Sequence, residues 1–240
     1  MVPEIFCALD TPDIERAKTL AAALASVTGS IKLGLEFFNA HGPQGVGEIL
    51  RVAPGVPLFL DLKYHDIPNT VAGAVRAATA LRPAYLNVHA AGGLDMMRAA
   101  REAAGEEAAR LGCAVPKLLA VTVLTSLDDA ALAQVGQARP ASDQVRRLAE
   151  LTREAGLDGV VCSAHEIAAL RASCGADFVL MVPGIRPAGA EVGDQKRVMT
   201  PAQAMKAGAT HLVIGRPITG APDPAAAARD ILASLRKEAA

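Results

Sequence analysis

Tryptophan is absent from this 240-residue chain, and aromatic residues make up only 3% of it. Proteins that hold nucleic acid combine a positive footprint with stacking platforms for the bases. Here the formal net charge is -1 and no basic stripe runs along the chain, which argues against nucleic acid as a partner. Any phosphate site has to be a local feature. Cysteine is also scarce: Cys7, Cys113, Cys162 and Cys174 show neither C-x-x-C pairing nor zinc spacing. They read as buried thiols in a reducing compartment. Cys162 stands near a strand end, where a small core filler fits. No apolar run approaches the roughly 20 residues that cross a bilayer, and no basic-then-apolar leader opens the chain. The expectation is a cytoplasmic protein that touches no membrane.

What the chain does have is apolar residues, 51% against 20% charged, which is a globular composition. Its length suits one large domain over 1–240, and neither a linker nor a composition shift divides it. Short apolar runs recur in order: Ile5–Leu9, Ser30–Gly34, Val56–Leu60, Tyr85–His89, Lys117–Val123, Gly159–Cys162, Phe178–Val182 and His211–Ile214. Between them lie helical stretches rich in Ala and Leu. Thr11-Pro12-Asp13 supplies a cap, a first-turn proline and a dipole-favoured acid for the first, which runs to about Ser26. Others are expected from Pro43 to Val52, Ile67 to Leu81, Gly93 to Leu111, Leu127 to Val135, Ser142 to Ala155, Ala164 to Ala172 and Pro224 to Lys237. Eight strands alternating with helices predict a parallel sheet, and the count of eight favours an α/β fold of the closed (β/α)8 type. The pattern breaks from Arg186 to Thr200, a stretch rich in Gly, Pro and charge that suits a functional lid.

The most informative segment follows the third apolar run: Asp61-Leu62-Lys63-Tyr64-His65-Asp66-Ile67-Pro68-Asn69-Thr70. Side chains alternate along a strand, so Asp61 and Lys63 share a face, with Asp66 close by where the strand ends. Charges gathered at a buried strand end are costly unless they pair with one another or with a ligand. A salt-bridge cluster closing the strand satisfies that condition as well as a catalytic one does. The other strand ends tip the balance. Asp10, Lys32, Thr125, Arg186 and Arg216 all fall at the C-terminal ends of their strands, where barrel enzymes place their sites. Taken singly, Asp10 suits a helix cap and Lys32 a snorkelling side chain, while His65 and His89 suit rim or loop hydrogen bonding. Their convergence on one end is the signal. Gly215-Arg216, after the eighth strand, adds a close backbone approach and a bidentate cation at the usual barrel phosphate site; Arg186 and Gln195 extend it.

These residues resemble the orotidine 5'-phosphate decarboxylase family. The likeness rests on Asp61-x-Lys63-x-x-Asp66-Ile67-Pro68-Asn69-Thr70, Thr122–Ser126, Pro183-Gly184-Ile185-Arg186-Pro187, Asp194-Gln195-x-Arg197 and Ile214–Thr219, in order from Asp10 to Thr219. The resemblance implies a (β/α)8 barrel homodimer with no metal and no organic cofactor, converting orotidine 5'-monophosphate to uridine 5'-monophosphate. Lys63 would protonate C6, Asp61 would lie against the departing carboxylate, and Lys32 would join the charged array and contact the ribose. Asp66 and Thr70 would reach into the partner's site. Asp10 would bind a ribose hydroxyl, Thr125 the pyrimidine edge, and Arg186, Gln195, Gly215 and Arg216 the phosphate.

Three other readings stand beside it. A related barrel decarboxylase would act on a sugar phosphate such as 3-keto-gulonate 6-phosphate with Mg2+; Lys32 stands where that enzyme needs an acid, although Glu36 is near in sequence. A Schiff-base aldolase would need a lysine of lowered pKa, which flanking carboxylates oppose. A phosphate-binding scaffold without catalysis would gain nothing from the array Lys32, Asp61, Lys63 and Asp66.

Overall fold

A computed structural model of the chain describes residues 4–137, 140–187 and 199–238. Its eight strands are β1 (Glu4–Ala8), β2 (Ile31–Gly34), β3 (Leu58–Tyr64), β4 (Tyr85–His89), β5 (Lys117–Val121), β6 (Gly159–Val161), β7 (Val179–Val182) and β8 (His211–Ile214). Each pairs in parallel with its neighbours in sequence, and β8 pairs with β1, closing a barrel. The (β/α)8 expectation holds.

Strand alternation sorts the side chains into two cores. On β1, Ile5 and Cys7, with Leu9 just past its end, face outward against the helices, while Phe6 and Ala8 face the barrel interior. On β3, Leu58, Leu60 and Leu62 go outward and Phe59 inward. On β2 and β4 the outward residues are Ile31, Leu33, Leu86 and Val88, which turns Lys32 and Asn87 toward the axis. Inside, Phe6, Phe59, Tyr85 and His211 pack edge to face, with ring centroids 5.2 to 6.4 Å apart. Tyr85 and His211 share a 2.7 Å hydrogen bond. These rings close the barrel floor.

The helices form the outer layer: α1 (Ile14–Ala25), α2 (Leu35–Val52), α3 (Pro68–Thr79), α4 (Leu94–Leu111), α5 (Asp129–Gln134), α6 (Ala141–Glu154), α7 (Ile167–Cys174), α8 (Pro201–Lys206), α9 (Arg216–Thr219) and α10 (Pro224–Glu238). Among the described residues, none is long and apolar enough to cross a membrane. None of the four cysteines is in a disulfide.

Three local expectations are corrected. The cap of α1 is Asp13, whose Oδ1 accepts from the backbone N–H groups of Glu15 and Arg16, so Pro12 precedes the helix instead of opening it. The segment before Pro43 is helical too: α2 starts at Leu35 and is broken at Gly42, whose φ of 60° and ψ of -161° interrupt the turn. The third is α8, a short helix unmarked by apolar periodicity but started by a Thr200/Gln203 capping box.

Near the barrel base, Arg171 ties several ends together. Its guanidinium donates to the carbonyls of Gly175, Ala176, Phe178 and Gly208 and to Thr210 Oγ1. The entries to β7 and β8 are thus fixed from one side chain.

Candidate active site

At the C-terminal end of the barrel, four charged groups form a chain. Lys32 Nζ lies 2.9 Å from Asp10 Oδ1 and 3.3 Å from Asp61 Oδ2, and Lys63 Nζ lies 2.6 Å from Asp61 Oδ1. Lys32 is 6% exposed and Asp61 8%. Burial works against the charge on Lys32, but Asp61 and Asp10 outweigh it and hold the ammonium above the usual lysine range. Burial likewise opposes ionisation of Asp61, and Lys32 and Lys63 overcome it, keeping the carboxyl below the usual range. Gly34 makes room for this: a Cβ there would stand 2.8 Å from Lys32 Nζ and 3.0 Å from Asp10 Oδ1.

Lys63 does not reach Asp61 by plain strand geometry. Its φ is 50°, in the left-handed region that L-residues rarely occupy. The pairing of β3 with β4 shows why: Leu60 pairs with Leu86 but Tyr64 pairs with Val88, so four steps of β3 match two of β4. Asp61, Leu62 and Lys63 therefore bulge opposite Asn87. Bulges beside active sites re-aim side chains in this way. Asn87 answers the bulge with both ends of its amide, accepting from the Lys63 backbone N–H at 2.8 Å and donating to Asp61 Oδ1 at 2.7 Å. Sequence reasoning missed Asn87. The available signal was an amide in the middle of the apolar run Tyr85–His89.

Two cavities meet over this array. The first, about 490 Å³, is lined at one end by Asp10, Lys32, Asp61 and Lys63 and at the other by Arg186, Gly215 and Arg216. The second, about 210 Å³, is mostly apolar, with Phe59, Val121, Val123, Val161 and Cys162, and Thr125 at its edge. Asp61, Lys63, Pro183 and Val213 line both. The space as a whole offers an apolar slot, a charged seam and a cationic end. Cys162 is thus a buried residue that also faces the slot. The Cys7 thiol, outside it, is pushed up to about 12 by burial and by Asp10.

Of the residues singled out in the sequence, Asp10, Lys32, Asp61, Lys63, Thr125, Arg186, Gly215 and Arg216 converge on this space. Asp66 and Thr70 do not. Both are exposed; Asp66 accepts from the N–H of Ile67 at 2.6 Å and forms no ion pair among the described residues. Among the described residues, then, Asp61 is the carboxylate paired with Lys63, and Asp66 is not a second one. Gln195 and most of the expected lid, 188–198, lie outside the described residues. The ends of that stretch are pinned by a bridge between Ile185 and Met199. His65 and His89 stack beside the seam at 5.3 Å, and burial, His65 and Lys63 hold His89 below the usual histidine range. They line neither cavity.

Comparison with known proteins places the chain in a family and agrees with the barrel fold. The chain is 62% identical over 231 residues to the orotidine 5'-phosphate decarboxylase of Rhodospirillum rubrum, covering 96% of this chain and 93% of that protein. It is 54% identical to the Paramagnetospirillum magneticum protein of the same name, over 98% of this chain and 99% of the relative. Among solved structures, that of orotidine 5'-phosphate decarboxylase from Lactobacillus acidophilus superposes with a TM-score of 0.81 at 34% identity, over 98% of both chains. Residues 3–231 match the model of the Orotidine 5'-phosphate decarboxylase / HUMPS family, and the chain belongs to that family of enzymes.

Proposed function

We propose that this chain, as one barrel domain over 1–240, converts orotidine 5'-monophosphate to uridine 5'-monophosphate in the cytoplasm, completing de novo pyrimidine synthesis. The observation that carries this reading is the seam Asp10–Lys32–Asp61–Lys63, set between an apolar slot and two arginines. The names of the two relatives at 62% and 54% identity support the same substrate. The pyrimidine would occupy the slot with its edge at Thr125. The ribose would meet Asp10 and Lys32, and the phosphate Arg186, Gly215 and Arg216, with Gln195 completing the grip.

In the reaction, the bond from C6 to the carboxylate carbon breaks and its electron pair stays on C6 as carbon dioxide leaves. Nothing in the ring is placed to delocalise that pair. A fixed ammonium stabilises it electrostatically, then transfers its proton to C6 and recovers one from solvent. Lys63 is the group aimed to do this. Asp61 keeps Lys63 positioned and lies where the substrate carboxylate would be, so repulsion relieved on loss of carbon dioxide is a further contribution. The phosphate is remote from C6, so its contacts supply binding energy that holds the ring against the seam.

The working unit in this reading is a homodimer. Residues 65–70 are all exposed, and Ile67, 66% exposed, is an apolar side chain in the middle of a polar segment. Pairing of two chains there would cover it and carry Asp66 and Thr70 into the partner's site.

The reading requires no metal. Lys32 places an ammonium between the carboxylates of Asp10 and Asp61, where it opposes the divalent cation of a sugar-phosphate decarboxylase, although Glu36 also lines the cavity. The test follows loss of orotidine 5'-monophosphate absorbance in excess EDTA, wild type beside Lys63→Ala. Turnover that survives chelation and collapses in the variant supports the reading. No turnover by wild type overturns it, and 3-keto-gulonate 6-phosphate with Mg2+ is then the substrate to try.

A further inference from the structure

The β3 bulge gives Asn87 a position that no substrate contact explains. Its side chain is 0% exposed and lines neither cavity. It stands alone on β4 opposite the three residues Asp61, Leu62 and Lys63, where the strand ladder leaves the Lys63 N–H without its ordinary partner. An amide presents an acceptor and a donor on separate atoms, so it accepts from that N–H and donates to the Asp61 carboxylate at once, and the two bonds fix which end of the amide is which. Leaving either end of this buried amide unpaired is costly.

We propose that Asn87 is a positioning residue for the reaction, clamping Lys63 in its left-handed backbone conformation while orienting the carboxylate that holds the Lys63 ammonium. Left-handed backbone at a non-glycine residue persists only where its surroundings over-determine it. Here the determinant is one buried side chain that grips Lys63 at its backbone and, through Asp61, at its ammonium. Release of that grip lets residue 63 relax toward regular strand geometry and carries Nζ away from the reacting carbon. Asn87 never touches substrate.

This inference rests on the decarboxylase reading for its kinetic arm and not for its chemical one. Two variants divide the bonds: Asn87→Ala removes both, and Asn87→Asp keeps the size and the acceptor but sets a second carboxylate against Asp61. For each, kcat and KM for orotidine 5'-monophosphate would be measured per folded molecule. In parallel, the acylation rate of Lys63 by an amine-reactive ester would be read by peptide mass spectrometry, with the exposed Lys206 as reference. The expected result is a kcat loss of about 100-fold with KM changed less than about threefold, because misplacement of a reacting group falls on the chemical step. Lys63 labelling relative to Lys206 should rise about threefold or more once the charge-assisted hydrogen bond to Asp61 no longer holds the side chain back from the ester. If Asn87→Ala does not fold, Asn87→Asp carries both readouts. A lowered melting temperature with kcat and labelling unchanged would make Asn87 a structural hydrogen bond and overturn the proposal, as would a kcat loss with labelling unchanged. Absence of turnover by wild type would overturn the substrate reading instead, and the labelling would still decide the role of Asn87.

Discussion

Lys63 Nζ sits 2.6 Å from Asp61 Oδ1, yet the two residues depend on this contact unequally. Asp61 also holds Lys32 at 3.3 Å and accepts from Asn87, whereas Lys63 is partly exposed with Asp61 as its carboxylate. Removing the anion should therefore cost more than removing the cation. Asp61→Asn leaves the buried Lys32 ammonium with Asp10 alone and is expected to lower unfolding stability by about 3 kcal/mol, while Lys63→Ala costs less than about 1 kcal/mol. Urea denaturation of both variants measures the difference. Equal losses would mean that Asp61 is not the keystone of the seam. The sign with pH follows from the lowered Asp61 pKa: its contribution is full above the unfolded carboxyl range and disappears as pH falls through the folded value.

The exposure of Asp66 and Thr70 makes a prediction about assembly. Lys63→Ala and Asp66→Asn chains, each inactive alone, should regain activity when mixed and allowed to exchange. One site of every heterodimer then contains both native residues, so about a quarter of all sites recover at a 1:1 ratio in a two-fold symmetric dimer. Exchange demonstrated by mass with no activity gained would place Asp66 outside the partner's site.

Arg216 should act on the phosphate alone. Arg216→Ala is expected to lower kcat/KM for the nucleotide about 100-fold, the loss of a charge-assisted bidentate contact. The dephosphorylated nucleoside offers that contact nothing, so wild type and variant should turn it over at the same low rate. A variant that slows the nucleoside equally would show Arg216 acting on the ring or on the fold.

The barrel floor carries its own pH signature. Burial, with Lys117 nearby, lowers the His211 pKa to about 4, against 6.5 in an unfolded chain. Between these values the unfolded chain binds the extra proton, so stability falls as pH is lowered. From pH 7 to pH 5 the loss from this residue should be about 2 kcal/mol. Denaturation at both pH values, wild type beside His211→Gln, tests this; the variant should lose less over the interval. An identical loss in both proteins would assign the acid sensitivity elsewhere.

Much of this architecture was legible in the sequence because strand alternation and barrel topology are local rules applied eight times. Once the apolar runs are placed, Lys32 falls inward between Ile31 and Leu33, and Asp10 and Arg216 fall at strand ends with no further information. What escaped was set by pairing across strands. The three-residue bulge depends on the register between β3 and β4, which no pattern within β3 reveals, so both the Lys63 backbone and the role of Asn87 stayed hidden. The missed first half of α2 has a similar cause. Gly42 and Pro43 announce a break, and only the packing of Phe37 into the outer core shows that helix lies on both sides of it. Asp66 looked like a neighbour of Lys63 by spacing, and the chain's turn out of β3 takes it away.

The ring of Phe6, Phe59, Tyr85 and His211 bears on traffic through the molecule. Phe59, Val121, Val161 and Val213 serve at once as interior packing and as the base of the apolar slot, so the reaction space backs onto solid side chains instead of a passage. Among the described residues that base is packed, so substrate and products are left to pass on the side of the strands' C-terminal ends, where the charged seam lies. The same side chains that stabilise the barrel interior therefore also set the depth to which a ring can sink, so enlarging or trimming one of them alters packing and reach together.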